Sequence, residues 1–411
     1  MNILVLNAGS SSQKSCLYRF EKDASADSSG EGAGQLPEPV WEAQIDWLPA
    51  ESAARLAVHT RAGKVLEETV DSPSRSDTIA YLLSLLCEGS TGVISSLKDI
   101  DVVGHRVVHG GEDYQESAIV TPEVKAAINR LSALAPNHNP ANLEGIELME
   151  KLLGEKVPQV AVFDTAFHSQ MPEVAAMYPG PYDWREKGIR RYGFHGISHE
   201  YCMQRAAQIL DRSVDELRLI ICHLGNGGSL AAVKDGRSID TTMGFTPLEG
   251  LMMGTRSGSV DPGILIHLMR QGKLANEIDY LLNKASGLEG ISGVSHDLRE
   301  IGKAISQGNK RAQLAQDMYL HRLNACIGAM LMSLGGADAI AFTAGIGEHA
   351  PHIREAVCKA MAFLCVELDS AANDDSPVDR DIATAKSSMR VLVIKTQEDW
   401  AIAQACWHLV K

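Results

Sequence analysis

The sequence is poor in aromatic residues, which make up 5% of its 411 positions, so few side chains are available to stack on nucleic-acid bases. Positive charge is also scarce, since 38 Lys and Arg stand against 52 Asp and Glu and give a net charge of -14. A nucleic-acid binder needs a basic face, and no nucleic-acid partner is expected. The negative field also repels phosphorylated substrates, so an anion site has to be built from local Lys and Arg.

Long apolar runs and closely paired cysteines are missing as well. No uninterrupted apolar stretch is long enough to span a bilayer, and the first residues lack the basic and apolar regions of a signal peptide. The eight cysteines are scattered and form no C-x-x-C pair, which favours reduced thiols over disulfides or a zinc site. We expect a soluble, cytoplasmic protein without a membrane partner.

The chain length and the order of the predicted elements indicate a two-domain α/β protein. A chain of 411 residues exceeds one typical core, and apolar strands alternate with predicted helices. One helix is predicted to begin at Thr121-Pro122 and another at Ser198. The segment 21–39, rich in Ser, Gly, Asp, Glu and Pro, predicts an exposed loop. The predicted strands include residues 3–6, 16–18, 41–45, 102–103, 160–163, 219–222, 339–342 and 391–394.

The first predicted strand leads into a turn of small and polar residues, NAGSSSQK at positions 7–14. Glycine lets the backbone approach a ligand closely, while Ser10, Ser12 and Lys14 supply hydrogen-bond donors. These features predict a phosphate-binding turn. It is not a P-loop, because G-x-x-x-x-G-K-[ST] occurs nowhere in the chain.

A similar succession of strand, glycine turn and strand recurs in the second half of the chain. The strand 219–222 is followed by the turn GNGGS at 225–229 and by a further apolar run at 230–233. The repeat predicts two related domains that face each other, each offering a hairpin turn to phosphates across a cleft. Chance similarity is the alternative for so short a pattern.

A third glycine-rich motif, GIGEHA at 345–350, follows a predicted strand and fits G-x-G-x-x-A. Glu367 and Asp369 lie about 20 residues further on, as a dinucleotide fingerprint expects, so an NAD-dependent oxidoreductase is an alternative. Such domains begin at their fingerprint and continue through several βαβ units, whereas little chain follows this motif. The adenosine end of a nucleotide would fit the turn equally well.

Candidate catalytic side chains occur beside glycines and at strand ends. Arg106 and Arg256 lie among small residues, which suits a bidentate grip on carboxylate or phosphate, with surface ion pairs as the alternative. Asp164 follows an apolar strand, a typical site position in α/β sheets, although a helix cap is equally consistent. His195 and His138 lie in irregular loops flanked by glycine and proline, respectively.

Together these segments closely resemble the acetokinase family. The matching stretches occur in the family's order from residue 7 to residue 399 and cover nearly the whole chain. Each stretch is a weak signal alone, but the ordered set is highly specific. The stretches are NAGSSSQK, HRVVHGG, FDTAFH, RYGFHG, HLGNGGS, TPLEG, GTRSG, FTAGIGE and TQED.

The resemblance implies the fold of the acetate and sugar kinase, Hsp70 and actin superfamily. In that fold two α/β domains duplicate a ribonuclease-H-like fold, with a cleft between them. The N-terminal domain would comprise 1–165 and 396–411, so that the chain termini meet, and 166–395 would form the C-terminal nucleotide-binding domain. The family is homodimeric, and a homodimer is expected by resemblance.

The resemblance also implies a phosphotransferase with a carboxyl acceptor. It would transfer a phosphoryl group reversibly and in line from ATP to acetate, giving ADP and acetyl phosphate, with Mg²⁺ or alternatively Mn²⁺. Acetate is ionised at neutral pH and needs no general base, so the site has to position the reactants and neutralise charge. Arg106 and Arg256 would hold carboxylate and phosphoryl oxygens, and His195 would donate to the transferring group. Asp164 matches a position to which the family assigns a role in proton transfer. Because acetate has no proton to lose, we prefer the alternative that Asp164 orients an Arg or a metal-bound water.

The remaining site residues follow from the family's motifs. Asn7 and Glu398 match the magnesium positions. The residues expected around the acyl group are Val108, Asn137, His138, Phe194 and Pro247. The residues expected along the nucleotide are Ser10, Ser12, Lys14, His223, Leu224, Gly225, Asn226, Gly227, Asp297, Leu298, Arg299, Gly345, Ile346, Gly347, Glu348 and His349.

Three positions depart from the family's pattern. Asn137 stands where Leu is usual, which leaves the preference between acetate and propionate open. His349 replaces Asn, and Gln397-Glu398-Asp399 replaces Asn-Glu-Glu. The alternatives are a propionate kinase or another short-chain acyl kinase and, from a different class, an actin- or Hsp70-like mechanical ATPase, which needs no acyl-phosphate clamp.

Overall fold

A computed structural model describes residues 1–9, 12–20, 37–48, 52–136 and 138–411. Ser10, Asn137 and most of the predicted 21–39 loop therefore lie outside the described residues. The strands, in chain order, are β1 (Asn2–Ala8), β2 (Ser12–Arg19), β3 (Trp41–Leu48), β4 (Ala53–Thr60), β5 (Val65–Asp71), β6 (Val102–Val107), β7 (Ala118–Ile119), β8 (Gln159–Phe163), β9 (Arg218–Leu224), β10 (Gly228–Lys234), β11 (Arg237–Thr241), β12 (Ala339–Thr343), β13 (Arg380–Asp381) and β14 (Arg390–Val393).

Helices separate and follow these strands. They are α1 (Arg75–Ser84), α2 (Pro122–Leu131), α3 (Asn139–Leu153), α4 (Glu173–Ala176), α5 (Asp183–Glu186), α6 (Gly196–Leu210), α7 (Pro262–Arg270), α8 (Ala275–Lys284), α9 (Gly287–Ser292), α10 (Leu298–Ser306), α11 (Lys310–Leu334), α12 (Ala344–His349), α13 (Pro351–Ala360), α14 (Ser370–Asp374) and α15 (Glu398–Val410). Within the described residues, no helix combines the length and apolarity needed to cross a bilayer.

The chain forms two compact units, Met1–Ala166 with Gln397–Lys411, and Phe167–Thr396. Each unit contains one mixed sheet with helices packed against it. This arrangement confirms the predicted α/β class.

The sheet of the first unit has the strand order β5-β4-β3-β2-β1-β6-β8-β7 among the described residues. β1 pairs with β2 in antiparallel orientation, while β1, β6 and β8 are parallel neighbours. Residues of α1 and α3 share a core with Leu4 and Leu6, and α15 packs on β1 and β6. Because helices cover both faces, the run from Ile3 to Leu6 is fully buried, as its continuous apolar sequence predicts.

The sheet of the second unit, in the order β11-β10-β9-β12-β14-β13, repeats the central pattern of the first. β9 is antiparallel to β10 and parallel to β12, which is parallel to β14. The series β11-β10-β9-β12-β14 thus corresponds to β3-β2-β1-β6-β8. The repeat of strand, glycine turn and strand predicted from the sequence is a repeat of topology, and the duplicated fold is confirmed.

The two predicted helix starts have different outcomes. Thr121 caps α2 by accepting a hydrogen bond from the backbone N of Val124, which confirms the predicted start, and Val124, Ile128 and Leu131 form its buried face. The helix predicted to open at Ser198 instead begins at Gly196, because His195 occupies the N-cap position in a left-handed conformation. Ser198 therefore lies inside the first turn.

A packing prediction follows from Gly104 in β6. A Cβ at this position would lie 2.6 Å from both Cys406 Sγ and Ile402 Cγ2 of α15, so Gly104→Ala should displace that helix and destabilise the protein by about 1–3 kcal/mol. The matched control is Gly145→Ala inside α3, where a Cβ meets nothing within 4 Å and should stabilise by about 0.5–1 kcal/mol. Thermal midpoints measured by circular dichroism check both, and an unchanged midpoint for Gly104→Ala would contradict the packing of α15 on β6.

Candidate active site

Three polar residues of the first unit lie at one edge of its sheet. Asn7 lies near the end of β1, Arg106 near the end of β6, and Asp164 directly after β8. These strands are parallel neighbours, so their carboxyl ends meet at the same edge. The buried apolar residues before each polar residue anchor the strand and fix where its last side chains project.

Arg106 contacts both of the other residues. Its Nε and Nη2 donate to Oδ2 of Asp164 at 3.0 and 2.5 Å, and its Nη1 donates to Oδ1 of Asn7 at 3.4 Å. Burial alone would lower the pKa of Arg106, but Asp164 and then Glu398 outweigh it and raise that pKa. The guanidinium is therefore held charged and in one orientation by Asp164.

The first turn of α15 brings two carboxylates to the same edge. Nδ2 of Asn7 donates to Oε2 of Glu398 at 3.2 Å and to Oδ1 of Asp399 at 3.1 Å. Burial raises the pKa of Glu398; Arg106 opposes this shift, while Asp164 and Asp399 add to it. A further cation at this edge would favour the ionised form of Glu398.

Lys14 ends the turn predicted to bind phosphate and contacts two carboxylates. Its Nζ lies 2.9 Å from Oε1 of Glu42 and 3.5 Å from Oδ2 of Asp399. Burial disfavours the charged amine, but Asp399 and Glu42 outweigh this effect and raise the pKa of Lys14. Ser12 begins β2, and its carbonyl accepts a hydrogen bond from Gly9 N at 2.8 Å.

The donor set at this edge suits a hard divalent cation. Oδ1 of Asp164 is buried and has no hydrogen-bond partner among the described residues, and oxygen donors are those that Mg²⁺ and Mn²⁺ prefer. Over the same residues, no group of three or more His, Cys, Asp or Glu side chains is arranged to hold an ion by itself. Four carboxylates meet two cations here: Asp164, Glu398, Asp399 and Glu42 with Arg106 and Lys14.

The loop after β6 carries the first part of the expected acyl pocket. Val108 is buried, and its backbone N donates to Oδ1 of Asn142 at 3.2 Å. The next residue, His109, donates from its backbone N to Oδ1 of Asn139 at 3.1 Å. His138 occupies the N-cap position of α3. The start of α3 therefore fixes the loop through two asparagines that were not predicted as site residues.

In the second unit, the turn between β9 and β10 forms the second candidate phosphate site. Gly225 N donates to Gly227 O at 3.0 Å, and Asn226 O accepts from Gly254 N at 3.1 Å. A Cβ placed on Gly227 would lie 3.4 Å from Arg256 Nη1 and 3.6 Å from His195 Nε2. The glycine backbone is thus flanked by a guanidinium and an imidazole, an arrangement suited to an anion.

His195 adopts a left-handed conformation, with φ 58° and ψ 27°, at the N-cap of α6. Such a conformation is uncommon for a non-glycine residue and typical of functional sites. Nδ1 of His195 lies 2.9 Å from Oγ of Ser229, and its ring stacks on that of His223 with centroids 4.1 Å apart. His223 in turn contacts Ser198 Oγ through Nδ1 at 2.8 Å.

The loops that carry Phe194 and Pro247 are joined by an ion pair. Arg191 Nη2 donates to Oε1 of Glu249 at 2.9 Å. Pro247 O accepts from Arg256 Nη1 at 3.1 Å, and Phe194 is buried. Residues of the RYGFHG, TPLEG and GTRSG stretches therefore contact one another directly.

Residues 345–349 of the GIGEHA motif lie within α12 rather than in a loop before it, and Ala350 is the C-cap residue. Oε1 of Glu348 accepts from Ala344 N at 2.9 Å and from Thr396 N at 3.2 Å. Arg354, which is buried, donates from Nη1 to the carbonyls of Gly347 and Glu348 at 2.9 and 2.8 Å. Gly345 and His349 are exposed, and Ile346 packs against the core.

The segment 297–299 begins α10. Asp297 caps the helix by accepting from Arg299 N at 2.8 Å, and Arg299 Nη2 donates back to its carboxylate at 2.6 Å. The Arg299 side chain is 90% exposed. Leu298 is buried in the hydrophobic core, so the structure does not bring its side chain to the glycine turn.

The structure thus groups the sequence-predicted residues into two sets, one in each unit. The first set comprises Asn7, Lys14, Arg106, Asp164 and Glu398, and the second His195, His223, Leu224, Gly225, Asn226, Gly227, Pro247 and Arg256. Six further residues form hydrogen bonds with the matched stretches and were not predicted from the sequence as site residues: Asn139, Asn142, Arg191, Ser229, Glu249 and Arg354. Of these, Arg191, Ser229 and Glu249 lie inside matched stretches. The family motifs could therefore have indicated these three residues, but the contacts that they make involve partners distant in sequence.

Comparisons with known proteins give one consistent result. The profile of the acetokinase family matches residues 2–404. An acetate kinase of Acaryochloris marina is 64% identical over 99% of both chains, and one of Trichormus variabilis is 61% identical over 100% of both.

Solved structures agree with the sequence comparisons. The crystal structure of Porphyromonas gingivalis acetate kinase superposes with a TM-score of 0.89 at 42% identity and covers 100% of both chains. That of a propionate kinase from Francisella tularensis gives 0.88 at 36% identity over 99% of both. The chain described here belongs to the acetokinase family.

Proposed function

We propose that this chain is an acetate kinase, which transfers the γ-phosphoryl group of ATP reversibly to acetate and forms acetyl phosphate and ADP. The observation that carries the proposal is the glycine turn at Gly227 with Arg256 and His195 beside it. The 64% identity to an acetate kinase over 99% of both chains supports acetate as the acceptor. Membership of the acetokinase family argues against the oxidoreductase and the mechanical ATPase.

In this reaction an acetate oxygen forms a bond to the γ-phosphorus as the bond to the β–γ bridging oxygen breaks and ADP leaves. No proton has to be removed, because acetate is already ionised. Arg106 would hold the acetate carboxylate. Asp164 would keep the Arg106 guanidinium oriented, since two of its nitrogens donate to Oδ2 of Asp164.

In the second unit, His195 and Arg256 would donate to the oxygens of the transferring phosphoryl group. The backbone of Gly225 to Gly227 allows close approach of phosphates, because glycine carries no side chain. The segment from Gly345 to His349 and the residues 297–299 would accommodate the nucleoside end. Lys14 and Ser12 in the first unit would serve phosphate oxygens.

A divalent cation, Mg²⁺ or Mn²⁺, would neutralise charge on the nucleotide phosphates when bound. Asn7 and Glu398 would hold it, with Oδ1 of Asp164, which has no hydrogen-bond partner among the described residues, as a third oxygen. Mg²⁺ is usually bound by one or two carboxylates together with waters and substrate phosphates.

We also infer a homodimer, for which α7 and α8 supply a candidate contact. In the part of the chain that the structure describes, α7 has no buried residue, although Ile264, Ile266 and Met269 are 46–50% exposed apolar side chains. Leu274 and Tyr280 of the next segment are 70% and 61% exposed. We call these five residues the α7–α8 surface. Exposed apolar side chains on these two contacting helices favour burial by a partner, and a second copy would cover them. Eight free cysteines support the inference of a cytoplasmic location.

The proposed reaction predicts that ADP formation requires a short-chain acid. We expect kcat/KM to be highest for acetate. For propionate, the added methylene should raise the activation free energy by about 1–3 kcal/mol and lower kcat/KM accordingly. Initial rates with acetate, propionate, butyrate and no acid measure this, and the Arg106→Ala variant is the control that should lose acid-dependent turnover. Acid-independent ADP formation would instead support a mechanical ATPase, and a higher kcat/KM for propionate would identify a propionate kinase.

The metal assignment predicts that Glu398→Gln weakens the response to magnesium. Removal of one negative charge from the cation's ligands should raise the Mg²⁺ concentration for half-maximal rate about 10- to 100-fold. The exposed residue Glu300, which pairs with Lys303 at the surface, provides the control variant Glu300→Gln. Mn²⁺ binding followed by electron paramagnetic resonance gives a second measurement, and wild-type affinity in Glu398→Gln would remove Glu398 from the metal site.

The dimer proposal predicts that Ile266→Glu produces monomers, because a buried, unpaired carboxylate opposes association. Met332 in α11 is 81% exposed and lies outside the α7–α8 surface, so Met332→Glu should leave the dimer intact. Sedimentation velocity distinguishes the species. A dimer that persists in Ile266→Glu, or a monomeric wild type, would contradict the use of this surface.

A further inference from the structure

A buried chain of polar side chains extends from His195 into the interior of the second unit. Oγ of Ser229 lies 2.9 Å from Nδ1 of His195 and 2.8 Å from Nε2 of His199. Ser229 and His199 are both fully buried. One hydroxyl therefore joins the proposed phosphoryl-binding histidine to a second histidine that the reaction does not otherwise use.

Among the described residues, Oγ of Ser229 contacts only these two imidazoles, so a state in which both rings donate to Oγ would leave its buried O–H without an acceptor. Two arrangements remain for neutral rings. A serine hydroxyl has one hydrogen, which it can donate to only one of the two imidazoles. If His199 donates from Nε2, Ser229 donates to Nδ1 of His195, and the proton of His195 resides on Nε2. If Ser229 donates to His199 instead, His195 carries its proton on Nδ1, and His199 carries its own on its Nδ1.

The surroundings of His199 distinguish the two arrangements. Nδ1 of His199 is buried and has no hydrogen-bond partner within the described residues. A buried N–H without an acceptor is rarer in proteins than an under-used acceptor, so the arrangement that places a proton on this nitrogen is disfavoured. Burial, followed by the neighbouring His168 and His223, lowers the pKa of His199 well below its usual value, so its ring is neutral.

The neighbouring His168 provides no alternative acceptor for His199. Its Nε2 lies 3.1 Å from the carbonyl oxygen of Phe194 and its Nδ1 lies 2.7 Å from Oγ of Ser238. Because a carbonyl only accepts, His168 donates from Nε2, and its Nδ1 accepts from Ser238. The rings of His168 and His199 meet edge to face, with centroids 5.5 Å apart.

We propose that His199 is a positioning residue that acts through Ser229 to keep the proton of His195 on Nε2. This nitrogen is the one beside Gly227 and Arg256. A protonated Nε2 donates to a phosphoryl oxygen, whereas the other tautomer would present a lone pair to it and repel the developing charge. The catalytic consequence rests on the role proposed above for His195, while the placement of the proton does not.

The direct test is the tautomer of His195 measured by nitrogen-15 NMR of the full-length protein labelled at histidine. The ring signals are assigned by their loss in His195→Gln. We expect a protonated Nε2 and an unprotonated Nδ1 in the wild type, and a loss of this single state in Ser229→Ala and in His199→Met. His199→Gln can still donate an amide N–H to Ser229 and should retain the wild-type state.

Ser238→Ala is the matched control, because it removes a buried serine hydroxyl from a buried histidine of the same unit. The proton of His168 is fixed by the Phe194 carbonyl, so the spectrum of His195 should not change. A wild-type His195 protonated on Nδ1 would overturn the proposal, as would an unchanged His195 spectrum in both Ser229→Ala and His199→Met.

Kinetics provide the second readout. Ser229→Ala and His199→Met should lower kcat about 10- to 100-fold while KM for acetate and ATP stays near the wild-type value, and His199→Gln should recover most of the loss. A loss that His199→Gln does not recover would contradict donation by His199. Full activity in His195→Gln would contradict the catalytic role proposed for His195, and the NMR spectrum then decides the proton placement independently.

Discussion

Burial of the Asp164 carboxylate against the Arg106 guanidinium is the interaction around which the polar residues of the first unit are arranged. Asp164 is 1% exposed, and an isolated charge at such a position would be strongly unfavourable. Both Nε and Nη2 of Arg106 donate to one of its oxygens. A buried pair of this kind contributes little net stability, which favours a role in fixing geometry.

In the second unit, hydroxyl and imidazole groups orient His195. His195, Ser229 and His199 form a chain of hydrogen bonds without a carboxylate, and burial keeps His168 and His199 uncharged by lowering their pKa values, to about 4 for His168. The first unit is, by contrast, rich in carboxylates, which suits a cation.

The parts of the fold that could be predicted from the sequence are those determined by local pattern. The run from Ile3 to Leu6 is apolar at every position because helices cover both faces of β1, and the Thr121-Pro122 pair caps α2 by chemistry contained within four residues. β4 and β5 were missed because they lie towards the outer edge of the sheet, where β5 alternates between partly buried and exposed residues and gives a weaker signal. The start of α6 was misplaced because the left-handed conformation of His195 depends on its surroundings.

The candidate site shows the same division. Arg106, Asp164 and His195 could be selected because strand ends and glycine neighbours are local features. The bond between Lys14 and Asp399 joins residues 385 positions apart, and the contact of Arg191 with Glu249 joins residues 58 apart. The spacing of polar and apolar residues along the chain does not predict such pairs, because the two partners are far apart in sequence and neither stands in a distinctive local pattern.

The sequence by itself determined the residue types suited to phosphate and carboxylate binding, the strands that carry them and, through the ordered motifs, the family. The tertiary structure alone decided which of these residues touch. Parallel pairing of β1, β6 and β8 gathers Asn7, Arg106 and Asp164 at one edge, and the return of α15 to that sheet adds Glu398. It also decided that Ser229 lies between two imidazoles, because hydrogen-bond partners are chosen by distance in the folded chain and not by distance along it.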